Sequence, residues 1–239
     1  MRWARACLLA IGLLPTLAIA QAYPSKPVKL VVGFAPGGAA DQVSRAYQEV
    51  ISRELGQQVV VENRAGAGAR MAGEYVGRGA RAGYTLLMAS PSSILVNPIL
   101  SPKAGFDPRR DLLPVSRVSS SPLVVAAHAS VGAANLRELI ALAKKSPGRL
   151  NYGSSGNGSA PHLAGVLFTR LAGVDLVHVP FKGGAPAVQA LLAGDIQLSF
   201  ATPPSVLPHV RTAQNPGGRL IALAVTSRER TPLVPGVAG

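Results

Sequence analysis

The sequence predicts an α/β protein of two lobes, built from mainly parallel sheets flanked by helices. Three observations carry that expectation. Apolar runs such as residues 28–34 lack the alternation of a half-solvated strand and read as strands buried on both faces. Each run is followed by a glycine- or serine-rich turn and then by a helical period, the order of a parallel sheet. Near residues 101–111 a cluster of Pro, Gly, Asp and Arg breaks every period and marks a crossing between lobes. The expected boundaries are a signal peptide at 1–20, a first lobe at 21–103 and a second at 104–222. A return strand and loop toward the first lobe then follow at 223–239.

The first twenty residues carry Arg2 and Arg5, then an apolar stretch at 6–14, then Ala18-Ile19-Ala20, the small residues a signal peptidase inspects. The apolar stretch is too short, and too close to Pro15, to span a bilayer. Cys7 is the single cysteine and lies inside this segment, too early for a lipid-modified cleavage site. The mature chain is therefore expected to be exported without disulfides, and its core must be stable without them. Without Arg2 and Arg5, 22 basic residues face 11 acidic ones, a formal charge of +11. The longest basic runs are the pairs Arg109-Arg110 and Lys144-Lys145, with no aromatics between them. Scattered charge of this kind is a solvated surface that favours anionic solutes, and nucleic acid is not an expected partner.

In order, the first lobe reads as a strand at 28–34, the turn Ala35-Pro36-Gly37-Gly38, and a helix at 41–55 stopped by Gly56. The stripe Val43, Ala46, Tyr47, Val50, Ile51 and Leu55 is its expected buried face. A strand at 59–61, the loop Ala65-Gly66-Ala67-Gly68, a short helix near 70–78, a strand at 84–88 and a polar turn at 89–93 follow. Past the crossing, short strands are expected at 115–118 and 123–127. Asn135 and Glu138 have capping-box spacing before a helix to Lys145. Strands at 175–180, 196–200 and 220–225 complete the pattern, with the turn Phe181-Lys182-Gly183-Gly184 opening a helix at 185–193 and Pro203-Pro204 opening a short one.

The most informative stretch is 150–171. A short β-run passes into Gly153-Ser154-Ser155-Gly156-Asn157-Gly158-Ser159, seven residues without a bulky side chain, and then into an amphipathic helix. A loop so bare admits close approach to its backbone. The helix that follows points free N–H groups and a positive dipole end into the same space. Ser154, Ser155, Ser159 and Asn157 add neutral donors, a set suited to a small anion such as a carboxylate. An ordinary strand-to-helix loop would have the same local form.

Several chemical motifs fail on single residues. A dinucleotide fingerprint from Gly66 needs glycine where Met71 stands, and from Gly156 where Pro161 stands, so no cofactor is expected. A nucleophile elbow on Ser155 needs glycine where Asn157 stands. His128, His162, His178 and His209 have no metal spacing. His162, at the helix start, reads either as a ligand contact or as a group bonded to its own loop. Asp41 reads either as a helix cap or as a ligand contact. No catalytic constellation emerges, although a hydrolase using Ser155 or His162 is an alternative.

Seven stretches in register carry a family resemblance: Tyr23-Pro24-Ser25-Lys26-Pro27; Val31 through Gly38 with Asp41; Val61 through Gly68; Gly83-Tyr84-Thr85-Leu86-Leu87; Leu150-Asn151-Tyr152-Gly153-Ser154; His178 through Gly183; and Ala222-Leu223-Ala224-Val225-Thr226. Together they resemble the substrate-binding receptors of the tripartite tricarboxylate transporters, the Bug family of Gram-negative bacteria. The resemblance implies a monomeric, two-lobed periplasmic solute-binding protein of type II-like fold. Such a receptor closes on a small carboxylate ligand and presents it to integral membrane transporter subunits. It implies ligand contacts from Phe34, Gly37, Gly38, Ala39 and Asp41 on one lobe. Facing them would be Ser154, Ser155, Ser159 and His162, with Ser90 and Ser92 from the turn at 89–93. Where many members carry Asp-Asn, this chain has Ala201-Thr202, so Thr202 joins the expected site and an amino-acid ligand is disfavoured. Relatives continue beyond the loop at 231–235, which implies a first lobe incomplete at the C-terminus that exposes apolar surface, as in a shortened receptor or its non-functional remnant.

Overall fold

Two sheets organise the chain. The computed structural model describes residues 22–79, 81–102, 106–232, 234 and 237, so the expected signal peptide, with Cys7, lies outside the described residues. In the first lobe, β1 (Val28–Val32) is flanked by β2 (Val59–Asn63) and β3 (Thr85–Met88), all parallel. Helix α1 (Ala39–Leu55) connects β1 to β2, and α2 (Arg70–Gly77) connects β2 to β3. Val28, Val31 and Val32 are fully buried, as the unbroken apolar run requires. The small core here gathers Val28, Leu30 and Val59, with Ile51, Leu55, Leu86 and Met88 packed against it.

The expected stripe on α1 is rotated in the structure. Ala46, Tyr47 and Val50 are exposed, whereas Asp41 and Ser44 are buried. The reason is polar: Gln48 donates to the Val59 carbonyl at 2.9 Å, and the Val59 N–H donates to Ser52 Oγ at 2.9 Å. Hydrogen bonds to the edge of β2 thus decide which face turns inward.

The turn at 89–93 is also more ordered than expected. Pro91 opens a helical run that continues as a π-turn (Ser92–Val96) and α3 (Asn97–Leu100). Ser90 and Ser93 close it reciprocally, each accepting the other's N–H at its hydroxyl. The crossing comes later than composition indicates. Phe106 packs over Gly73 and Gly77 of α2, and α4 (Pro108–Asp111) stays with it, so the extended run 112–123 carries the chain across. No strand forms at 115–118: Val115 is 83% exposed, and among the described residues no strand pairs with it.

The second sheet runs β6-β5-β7-β4-β8, from β4 (Val124–His128), β5 (Leu150–Ser154), β6 (Leu176–Pro180), β7 (Leu198–Ala201) and β8 (Leu220–Val225). β5 pairs parallel with β6 and β7, whereas β4 is antiparallel to both β7 and β8. The boundary expected at 222 falls inside β8, which belongs to this sheet along its whole length. Leu220 and Val225 feed one core cluster and Leu223 and Ala224 the other, which ties the strand to this lobe. Helices α5 (Leu136–Lys145), α6 (Ala160–Ala172), α7 (Gly184–Ala193) and α8 (Pro203–Val206) complete the lobe. Asn135 caps α5 as its spacing predicts, accepting the Glu138 N–H at 3.0 Å, while the Glu138 carboxylate takes the Ala134 N–H. No helix among the described residues is long and apolar enough to cross a membrane.

Gly165 shows packing overruling propensity. Alanine is favoured over glycine inside a helix by about 0.8–1.0 kcal/mol. At Gly165 of α6, however, a methyl would overlap the buried Tyr152 ring. Overpacking typically costs about 1–3 kcal/mol. Gly165→Ala is therefore expected to lower the urea midpoint; a rise would contradict the packing.

Candidate functional site

The turns that follow the parallel strands gather where the carboxyl ends of the two sheets face each other, the usual position of a ligand crevice in α/β folds. A cavity of about 210 Å3 lies between them, lined by Gly66, Ala67 and Gly68 from the first lobe. Ser155, Gly156, Asn157, Pro180, Phe181 and Lys182 line it from the second. Gly66, Ala67, Gly68 and Gly156 give the wall little side-chain bulk, and Lys182 is the one cation among these residues.

Glycine in these turns serves the approach of one lobe to the other as much as the approach of a ligand. The Ala35 N–H donates to the Lys182 carbonyl at 3.1 Å, and a methyl on Gly183 would lie 2.8 Å from that same Ala35 nitrogen. A methyl on Gly68 would overlap the Asn157 carbonyl oxygen. Gly38, which precedes α1, lies beside Gly184 at the start of α7, so two dipole-positive helix ends meet across the gap.

The first-lobe loop is strained where it lines the cavity. Ala67 (φ 48°) and Ala69 (φ 73°) both adopt the left-handed region, with Gly68 (φ 59°) between them. Non-glycine residues held there cost about 1–3 kcal/mol each, a cost usually tolerated where geometry serves a site. Asn97 of α3 fixes this loop by donating to the Gly68 carbonyl at 2.8 Å.

Among the sequence-predicted residues, Ser155 lines the cavity directly. Gly37 and Gly38 stand at the interlobe gap, Ala39 opens α1, and the Phe34 carbonyl accepts from Asn63. Asp41 is 3% exposed and acts as a hub: it accepts the Gly37 N–H at 2.9 Å, Arg45 Nε at 3.0 Å and Asn63 Nδ2 at 2.9 Å. Burial opposes its charge, but Arg45, the Gly37 N–H and Asn63 outweigh burial and hold its carboxyl below the usual range. Asp41 stands in the first turn of α1, one helical turn past its N-cap Gly38, and its carboxylate reaches back to pin the Pro-Gly-Gly turn. Ser90 is engaged with Ser93, and Ser92 is buried at the start of the π-turn. Thr202 hydrogen-bonds Ser205 at 3.1 Å and is not a cavity residue.

Ser154 ends β5 and is buried. Its hydroxyl accepts the Gly156 N–H at 3.1 Å and bonds His178 Nε2 at 2.7 Å. Ser159 caps α6, taking the His162 N–H. His162 Nδ1 accepts the Gly158 N–H at 3.1 Å, the loop-bonded alternative of the two its position allows. No hydrogen bond joins Ser155 to His162 among the described residues. Composition does not single out Gly66, Ala67, Gly68, Pro180, Phe181 and Lys182 as site residues, although two glycine turns mark both segments.

If backbone contact sets the closed geometry, Gly68→Ala must open it. A methyl at this position meets Asn157, while its left-handed φ is one that neighbouring alanines already tolerate. Small-angle X-ray scattering is expected to give a larger radius of gyration for Gly68→Ala, with an unchanged far-UV spectrum. An unchanged radius would contradict the contact.

Comparison with known proteins places this geometry. The profile of the family described as "Tripartite tricarboxylate transporter family receptor" (TctC) matches residues 43–239. BugT of Bordetella pertussis is 37% identical over 219 residues, 91% of this chain and 66% of BugT. A protein from the tcbD-tcbE intergenic region of Pseudomonas sp. strain P51 is 35% identical over 217 residues, 91% of this chain and 63% of the relative. The chain thus spans about two thirds of the length of these relatives. Among solved structures, MatC from Rhodopseudomonas palustris with bound malate is 30% identical at a TM-score of 0.83, covering 90% of this chain and 72% of MatC. The R. palustris protein Rpa4515 with adipate is 31% identical at a TM-score of 0.84, covering 90% and 71%. With the profile running through most of both lobes and these folds superposing on them, the chain belongs to the tripartite tricarboxylate transporter receptor family.

Proposed function

We propose that the protein is a periplasmic receptor that closes its two lobes on a small organic carboxylate and delivers it to membrane transporter subunits, acting as a monomer and without catalysis. The observation that carries this reading is the interlobe cavity lined by the small and polar residues 66–68 and 155–157. Peptide N–H groups at turns and helix starts suit an anion whose charge is spread over two oxygens. Lys182 at the wall and the formal charge of +11 expected without residues 1–20 (22 basic against 11 acidic) favour the encounter of an anion with this crevice.

Size narrows the class. A cavity of about 210 Å3 falls below the roughly 300–1,000 Å3 typical of drug-sized ligands, so a solute of a few carbons fits best. That malate and adipate occupy two structural relatives supports a diacid of similar length. Within this reading, Ser155, Gly156 and Asn157 meet the carboxylate from the second lobe and residues 66–68 from the first. The Asp41 hub, Ser154, Ser159 and His162 hold the loops that make those contacts.

Thermal denaturation with a panel of small acids tests the proposal. At about a hundredfold excess over Kd, a bound acid adds about 2.7 kcal/mol, several degrees in Tm for a chain of this size. Malate, adipate or a close analogue is expected to give such a rise, while neutral esters of the same acids give none. A flat response across mono-, di- and tricarboxylates would refute the reading.

A further inference from the structure

Beneath the loop that meets the proposed ligand lies a pair of histidines that no cavity contact requires. His162 of α6 and His178 of β6 stack with ring centroids 4.2 Å apart and planes 28° apart. Each ring holds one end of the loop. His162 Nδ1 accepts the Gly158 N–H, and His178 Nε2 bonds Ser154 Oγ, which in turn takes the Gly156 N–H. Gly156 lines the cavity, and Gly158 packs against Asn97 of the first lobe. The two rings therefore set the part of the loop that faces both the ligand and the opposite lobe.

We propose that His162 and His178 form a positioning pair for loop 154–159, so that carboxylate is retained while both rings are neutral and released when the pair takes up a proton. The carboxylate half of this inference rests on the function proposed above.

The geometry dictates the sign. An acceptor at His162 Nδ1 must be unprotonated, so a proton there sets two N–H groups head to head and breaks the bond to Gly158. Two charged rings 4.2 Å apart repel, so the pair titrates as a unit. Tyr152 of β5 is the other titratable group in ring contact with His178, and burial raises its phenol. From the other elements packed on the pair come Ser154 and Ser159, both neutral, and the neutral Asn97 lies across the loop at Gly158. Among the described residues no carboxylate or cation adds to the field at either ring. Burial lowers His162, and burial followed by the charge of His162 lowers His178 to about 4. Lowered imidazoles contribute stability in full above the ordinary value of about 6.5, and that contribution drains away as pH falls toward the folded value.

The test has a ligand-free arm and a ligand arm. In 15N-labelled protein without ligand, the Gly156 and Gly158 amide resonances are followed from about pH 8 to about pH 3.5. Both are expected to shift in one transition below the ordinary imidazole midpoint. A Gly158 amide that stays fixed while the imidazoles titrate would overturn the pair. Calorimetry with malate and adipate then compares the wild type with His162→Asn, which keeps an acceptor near Gly158 but no titrating ring. The acids' own titration is common to both proteins, so their difference reads the pair. The wild type is expected to lose affinity about tenfold more per pH unit below the midpoint than the variant. Parallel loss in both would overturn the proposal. Amides that respond in the ligand-free protein while neither acid binds at any pH would leave the pair standing and overturn the carboxylate reading instead.

Discussion

Backbone meeting backbone across the crevice is the constraint on which the rest of this structure depends. Ala35 donates to the Lys182 carbonyl, and Gly68 sits where any side chain would strike Asn157. Such contacts demand residues without bulk on both lobes. They also bring the peptide dipoles of the turns, with the single cation Lys182, to the wall. Two glycine-rich surfaces that pack this closely around a gap make a small enclosure with one cation, Lys182, at its wall.

Holding such a surface in shape takes a second layer, and this chain builds it from fixed polar groups. Asp41, with Arg45 and Asn63, secures the Pro-Gly-Gly turn. Asn97 secures the strained loop at 67–69, and Ser154 with the two stacked histidines secures 154–159. Each hub pairs one side chain with main-chain groups that the helices and strands leave unsatisfied.

Much of this was legible in the residues, and the failures have physical causes. The strand–turn–helix order is written in apolar runs and glycine stops, and Leu220–Val225 forms a strand where the run lies. Composition could not say which face of α1 turns inward, because Gln48 and Ser52 are drawn in by hydrogen bonds to β2 while Tyr47 and Val50 are left out. The run Pro91-Ser92-Ser93 reads as a turn, but the same hydroxyls that make turns also cap helices. The bare loop that holds Ser155 lines the cavity, and so do Phe181 and Lys182, which composition does not single out, because a glycine turn in sequence does not say whether a ligand or another loop approaches it.

The most direct measurement is a crystal structure with the acid that raises Tm furthest. The account predicts carboxylate oxygens about 2.7–3.2 Å from peptide nitrogens of both 66–68 and 155–157. An acid held chiefly by guanidinium or ammonium groups, or bound outside the crevice, would contradict it.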